Sequence, residues 1–173
     1  SKDMAQVSVK IEINLPRDKA WEKLKDLSLA HRYVLGIVDT RITTAMVEGA
    51  GASRNVYQKR GGYLQETVTE WVPGEGFTLR LHKGEKDAPF RQSWFRYRLT
   101  DARDDKTFLT ATMGYTPPLG LAGNLLDRLL LRRIIRGVIG DVATSLKHYY
   151  ETGTTATTEQ RKALRACLLS TPD

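Results

Sequence analysis

Phe108-Leu109-Thr110-Ala111-Thr112-Met113-Gly114-Tyr115-Thr116-Pro117-Pro118 closes one kind of structure and opens another. Leu109, Ala111, Met113 and Tyr115 fall on every second position, the mark of a strand with one face against a core. Two prolines, which cannot donate to a ladder, stop it. From Leu119 to Tyr150 the apolar spacing changes to threes and fours and predicts one long leucine-rich helix. What precedes this junction must therefore be able to pack against a single long helix.

Upstream lie short β-runs separated by glycine-containing turns. Val38–Met46, Ser53–Lys59, Tyr63–Val72, Phe77–Lys83, Phe90–Thr100 and Phe108–Thr116 read as six consecutive strands. Gly49-Ala50-Gly51, Gly61-Gly62 and Pro73-Gly74-Glu75-Gly76 supply turns, and such short connections imply antiparallel neighbours. Val7–Leu15 alternates apolar and polar residues and adds a first strand. Pro16–Leu27, with Ala20, Trp21, Leu24 and Leu27 at helical spacing, and a second short helix over Leu29–Val34 capped by Ser28, stand between that strand and the rest. The order predicts an α+β fold in which a curved antiparallel seven-stranded sheet wraps around the C-terminal helix, leaving space for a cavity between them. Residues 1–6 read as an N-terminal extension, 7–151 as the domain and 152–173 as a polar tail with one helical segment near Glu159–Leu169.

Composition narrows the class. The chain has 173 residues, one domain's worth, and its 14 glycines and 6 prolines are too few for disorder. The apolar stretch near the C-terminus is broken by Asp127, Arg128, Arg132, Arg133 and Arg136, well short of the roughly 18 uncharged residues of a membrane span. Cys167 is the one cysteine, so neither an intramolecular disulfide nor a cysteine-rich metal site is expected, and His31, His82 and His148 lack metal-ligand spacing. No metal or other cofactor is predicted. The excess of 27 basic over 20 acidic residues is dispersed along strands without a nucleic-acid-binding signature, which disfavours nucleic acid as a partner. No signal peptide opens the chain, and a soluble cytoplasmic protein, with membrane association as a variant, is the expectation.

Four stretches, Leu15-Pro16-Arg17-Asp18-Lys19-Ala20-Trp21, Gly49-Ala50-Gly51-Ala52-Ser53-Arg54, Leu64-Gln65-Glu66-Thr67-Val68-Thr69-Glu70-Trp71-Val72-Pro73-Gly74 and Leu126-Asp127-Arg128-Leu129-Leu130-Leu131-Arg132-Arg133, carry a resemblance. Together with the element order over residues 7–151, they resemble the bacterial polyketide cyclase/dehydrase and lipid-transport family of the START-like helix-grip superfamily (SRPBCC). That resemblance implies a helix-grip fold and a cavity; it does not choose among the family's cyclases, dehydratases and ligand carriers.

Phasing the strands by their aliphatic residues turns Val38, Ile42 and Met46 inward, together with Val68, Leu79, Phe95, Tyr97, Met113 and Tyr115. The helix adds Ile135, Val138 and Val142, on a stripe continued by Leu146 and Tyr149. Of these, Ile42, Val68, Leu79, Phe95, Tyr97, Met113, Tyr115, Ile135, Val138 and Val142 are the predicted cavity lining. Polar groups in the same phase stand out, because a polar group facing a core is costly unless paired. Glu66 and Arg91 qualify as an ion pair able to hold a carbonyl or carboxylate, and Tyr97 and Tyr115 as hydroxyls able to orient one; a solvated rim pair and ordinary core tyrosines are the plainer alternatives. His31, near the expected mouth, is an acid–base candidate. The leading reading is a binder of a small hydrophobic ligand, lipid, quinone or polyketide-like. An aromatase/cyclase or dehydratase using Arg91, Tyr97, Tyr115 or Glu66 competes with it. Arg128, Arg132 and Arg136 recur at helical spacing with Arg133 beside them, and suggest a third class, an interaction surface for anionic membrane or an acidic protein.

Overall fold

The computed structural model describes residues 4–121 and 124–171. Strand β1 (Ala5–Ile13) leads into helix α1 (Arg17–Leu24), a 3-10 turn at Leu27–Leu29 and the short helix α2 (Ala30–Tyr33). Then come β2 (Ile37–Ile42), β3 (Ser53–Gln58), β4 (Tyr63–Val72), β5 (Gly76–Lys83), the two-residue β6 (Lys86–Asp87), β7 (Arg91–Asp101) and β8 (Thr107–Thr116). Helix α3 (Leu125–Thr152) and a shorter α4 (Thr158–Leu164) complete the chain. Seven strands form one antiparallel sheet in the order β1-β8-β7-β5-β4-β3-β2, with β6 added to β5 outside that path. The sheet grips α3 chiefly through β1 and, less extensively, β8; α2 packs against both α3 and β2, and α1 against β7.

The core is the inner phase expected from alternation. Val7, Val9, Ile11 and Ile13 of β1, Leu109, Ala111, Met113 and Tyr115 of β8, and Phe77 and Leu79 of β5 are buried against Ile135, Ile139, Val142 and Leu146 of α3. Burying such side chains is the dominant stabilising term, about 1.5–3 kcal/mol each.

Several expectations are corrected. β1 starts at Ala5, inside the segment read as an extension. β2 stops at Ile42, short of Met46: the Thr44 hydroxyl bonds the Met46 carbonyl and the Ser53 amide, taking up backbone groups that a ladder would use. Met46 and Val38, expected to face inward, are both more than half exposed. The long helix begins at Leu125, because the Asn124 side chain caps it by accepting from the Asp127 amide, and Leu119–Leu121 is a separate 3-10 turn. The gripped stripe is rotated from the one expected. Ile139 and Tyr150 take its centre, Tyr149 is half-buried, and Val138, placed on the cavity side by the sequence, is 56% exposed.

The tail folds back on the domain. Arg165 pairs with Asp141 of α3 at 3.4 Å, and Leu168 packs over Gly140, where an added Cβ would lie 3.2 Å from a Leu168 methyl carbon. The Leu169 amide donates to the Lys10 carbonyl on the open edge of β1 at 2.8 Å, and the Thr171 hydroxyl to Ser8 at 3.1 Å. An otherwise unpaired sheet edge is thereby covered.

Candidate functional site

Turn geometry builds the centre of the site. The hairpin closed by Gly61-Gly62 pairs Tyr57 with Tyr63, and counting back along the ladder sets Arg54 opposite Glu66. Alternation of Ala52, Arg54 and Val56 turns Arg54 inward, where it is only 1% exposed. Its guanidinium Nη2 lies 2.7 Å from Glu66 Oε1, Nε donates to the same oxygen at 2.8 Å, and Nη1 donates to the Leu27 carbonyl at 2.8 Å. Burial is the largest single influence and works against the charge on Arg54, but the Glu66 carboxylate, through its charge and its hydrogen bond, together with Tyr33 and Tyr97 more than offsets it, and the guanidinium holds its proton more tightly than usual.

Three tyrosines surround this pair. The Tyr33 ring meets those of Tyr97 and Tyr150 edge-on, each at 6.4 Å between centroids, and Tyr97 also packs on Phe77 and Phe95 at 5.4 and 4.9 Å. Burial raises the pKa of all three hydroxyls, those of Tyr97 and Tyr150 well above the ordinary tyrosine value, with Arg54 opposing the shift in each case. They are therefore neutral hydrogen-bonding groups at physiological pH. The Tyr150 hydroxyl is buried without a hydrogen-bond partner. At the other end of the sheet's inner face, the Tyr115 hydroxyl is also buried and unpartnered, beside the Phe90 ring at 5.2 Å. Burial raises its pKa too, against the opposing field of Arg132, Arg128 and Arg136 on α3.

The four sequence candidates for chemistry do not converge. Glu66 and Tyr97 share the Arg54 cluster, and Tyr115 stands apart beneath the arginine-bearing half of α3. Arg91 is exposed, because the register slips between Arg91 and Trp94 and the phase of β7 changes at that bulge. The expected Arg91–Glu66 pair is replaced by Arg54–Glu66. His31 is held by Thr40, its Nδ1 at 2.9 Å from the Thr40 hydroxyl. Of the expected lining, Val68, Leu79, Tyr97, Met113, Tyr115, Ile135 and Val142 lie in one continuous core, with Ile42 and Phe95 half-buried against it. A surface depression of about 600 Å³ bounded by Leu35, Ile37 and Lys59 lies at the β2–β3 end, outside that core. Among the described residues no group of His, Cys, Asp and Glu is arranged to hold a metal ion.

Residues 4–151 match the family model described as polyketide cyclase / dehydrase and lipid transport. The chain belongs to that family. Its sheet-and-helix grip recurs in solved structures. One is a START superfamily protein from Mycobacterium smegmatis, 13% identical, with a TM-score of 0.66 over 86% of this chain and 99% of the other. XoxI from Bacillus cereus is 15% identical, with a TM-score of 0.65 over 86% and 96%. Ara h 8.0201 is 13% identical, with a TM-score of 0.62 over 86% and 99%. At such identities the likeness is one of fold. A search of curated protein sequences finds no match. Family membership and fold are consistent with a hydrophobic-ligand cavity between sheet and helix; the chemistry within it has to be argued from this chain's own residues.

Proposed function

We propose that this protein binds a small hydrophobic ligand carrying at least one oxygen, such as a lipid, quinone or polyketide-like molecule, between the concave face of the sheet and α3. The observation that carries this reading is the unpartnered Tyr150 hydroxyl, set in an apolar core beside Tyr33 and Tyr97. A buried hydroxyl without a partner costs about 1–3 kcal/mol, and a ligand carbonyl within its reach recovers part of that. The half-buried Phe95, whose ring lies 4.9 Å from that of Tyr97, is the side chain placed to swing aside and admit the ligand to this cluster.

The aromatase/cyclase or dehydratase reading draws on the same phenols but has less support. Proton transfer near neutral pH needs a group whose pKa lies close to it, whereas burial moves the Tyr97 and Tyr150 hydroxyls further away. Arg91 stands outside the core, and Arg54 already has Glu66 and Leu27 as partners. Native mass spectrometry of the protein purified from its own source tests binding directly. Titration of wild type and Tyr150→Phe with a quinone and with a hydrocarbon of the same size tests the role of the hydroxyl. The variant should weaken only the quinone, by roughly two- to tenfold, the worth of one neutral hydrogen bond. Equal affinity of both proteins for the quinone removes Tyr150 from the site.

A further inference from the structure

The side of α3 that faces the sheet changes character toward the start of the helix. Its centre is apolar where Ile135, Ile139, Val142 and Leu146 are buried in the grip. Arg128 stands seven residues before Ile135 and eleven before Ile139, which at about 3.6 residues per turn puts it on that same side, and Arg132 stands seven before Ile139. Both are half-buried. Arg133, by contrast, is exposed on the outer side. Of the four arginines that the sequence groups together, Arg128 and Arg132 therefore turn toward the body of the protein and not away from it.

Register fixes what these two arginines meet. α3 runs alongside β1 in the same sense: Arg132 Nη2 donates to the Gln6 carbonyl at 3.2 Å and, further on, Lys147 Nζ donates to the Glu12 carbonyl at 2.8 Å. One turn before Arg132, a rise of about 6 Å, Arg128 comes level with the start of β1, where Ala5 pairs across the ladder with Tyr115. The Tyr115 side chain is fully buried, yet its hydroxyl has no hydrogen-bond partner among the described residues, and the charges of Arg132, Arg128 and Arg136 all act on it. Among the described residues none makes a hydrogen bond or ion pair with the Arg128 side chain. A buried donor with nothing to donate to, set under the cationic end of a helix, suits an oxyanion. Apolar cover adjoins it: Phe90, whose ring centroid is 5.2 Å from that of Tyr115, and Leu131 are half-buried against the core. From Tyr115 the inner face of β8 leads through Met113 to Ala111, which pairs with Tyr97, about 13 Å away along the strand.

We propose that the ligand held between sheet and α3 carries an oxyanion head, a carboxylate or a phosphate, which accepts a hydrogen bond from the Tyr115 hydroxyl and pairs with the Arg128 guanidinium, while its chain passes beneath Phe90 and Leu131 toward Tyr97. The proposal rests on the ligand-binding reading and adds to it the chemistry of the head and the end of the grip at which it lies. Titration with a fluorescent fatty acid, cis-parinaric acid, and with its methyl ester tests it. Wild type should bind the acid roughly tenfold or more tightly than the ester. Arg128→Gln and Tyr115→Phe should each remove most of that preference and leave affinity for the ester unchanged. Arg103→Gln, which takes the same charge from an exposed position in the turn at the far end of β7 and β8, should bind the acid as wild type does. Arg128 is half-buried and Tyr115→Phe keeps its ring, so both variants should retain the wild-type circular dichroism. Competition between parinarate and either dodecanoate or dodecyl phosphate then distinguishes the two heads, the better competitor naming the one this site takes. Wild type that binds ester and acid equally overturns the oxyanion head and leaves the ligand-binding reading standing. Binding of neither overturns both. A preference for the acid that both variants retain overturns the place assigned to the head.

Discussion

Arg54 and Glu66 face each other across β3 and β4 with 2.7 Å between guanidinium and carboxylate, the arginine 1% and the glutamate 18% exposed. A charge so deeply buried persists because its partner is fixed by the ladder that pairs the two residues and because the Leu27 carbonyl takes a further donor. The pair ties the sheet to the turn before α2 and holds the floor against which Tyr33 and Tyr97 pack.

Removing one partner should be worse than its position in a half-exposed strand suggests. Glu66→Gln leaves the Arg54 charge buried without a counter-charge, and a loss of about 3 kcal/mol is expected. Arg54→Met should cost less, because the Glu66 carboxylate left behind reaches water. Urea unfolding midpoints of the two variants at neutral pH give the ranking, and the reverse order would mean that the pair is held by packing rather than by charge.

On the outer face of the sheet, the Trp94 indole lies over Gly114 of β8, so close that a Cβ on Gly114 would stand 2.0 Å from the ring. Gly114→Ala must push the indole off its seat, where it also stacks with Arg96 at 4.9 Å. A loss of about 1–3 kcal/mol is expected, the usual cost of overpacking. The near-ultraviolet circular dichroism of the tryptophans should change while the far-ultraviolet signal does not.

How far the sequence could be read depended on whether a local period survives in three dimensions. β1 and β8 alternate without interruption and pair residue for residue, Val7 with Met113 and Ile11 with Leu109, so their inner faces were legible at once. β7 was not, because its bulge between Arg91 and Trp94 shifts the phase and puts Arg91 in solvent. Nothing in the residues between them announces that slip. Arg54 was within reach: the Gly61-Gly62 turn fixes the register that sets it opposite Glu66, yet an arginine on an inward phase reads as a solvated residue until its carboxylate partner is recognised. On α3 the spacing located the helix but not its rotation. Val138 and Ile139 are both apolar, and only the sheet's placement decides that Ile139 is buried and Val138 exposed.

The tail should contribute to stability out of proportion to its polar composition. Leu168 is half-buried against the core beside Gly140, and Leu168→Ala removes that packing for about 1 kcal/mol. The Leu169 amide, bonded to the Lys10 carbonyl at 2.8 Å, should then exchange with solvent faster than in wild type. Hydrogen exchange by mass spectrometry reads this directly, and unchanged protection of residues 165–171 would mean that the tail is held by its other contacts, the Arg165–Asp141 pair first among them.

The tyrosine cluster sets the alkaline limit of the fold. In the unfolded chain the hydroxyls of Tyr97 and Tyr150 titrate near 10.0, and burial raises both well above that value in the folded protein. Above pH 10 the unfolded state therefore releases protons that the folded state retains, so the stability these groups contribute is complete below that pH and declines as pH rises beyond it. Tyr150→Phe removes one such group together with a hydroxyl that has no partner. At neutral pH the variant should be as stable as wild type or slightly more so, by up to about 1 kcal/mol, since the lost oxygen made no hydrogen bond. Between pH 10 and 11 its stability should fall less steeply. Urea titrations at pH 7 and at several values above 10 measure both effects. A variant that loses stability at neutral pH would show that the hydroxyl already has a partner in the folded protein, and the case for a ligand oxygen at that position would go with it.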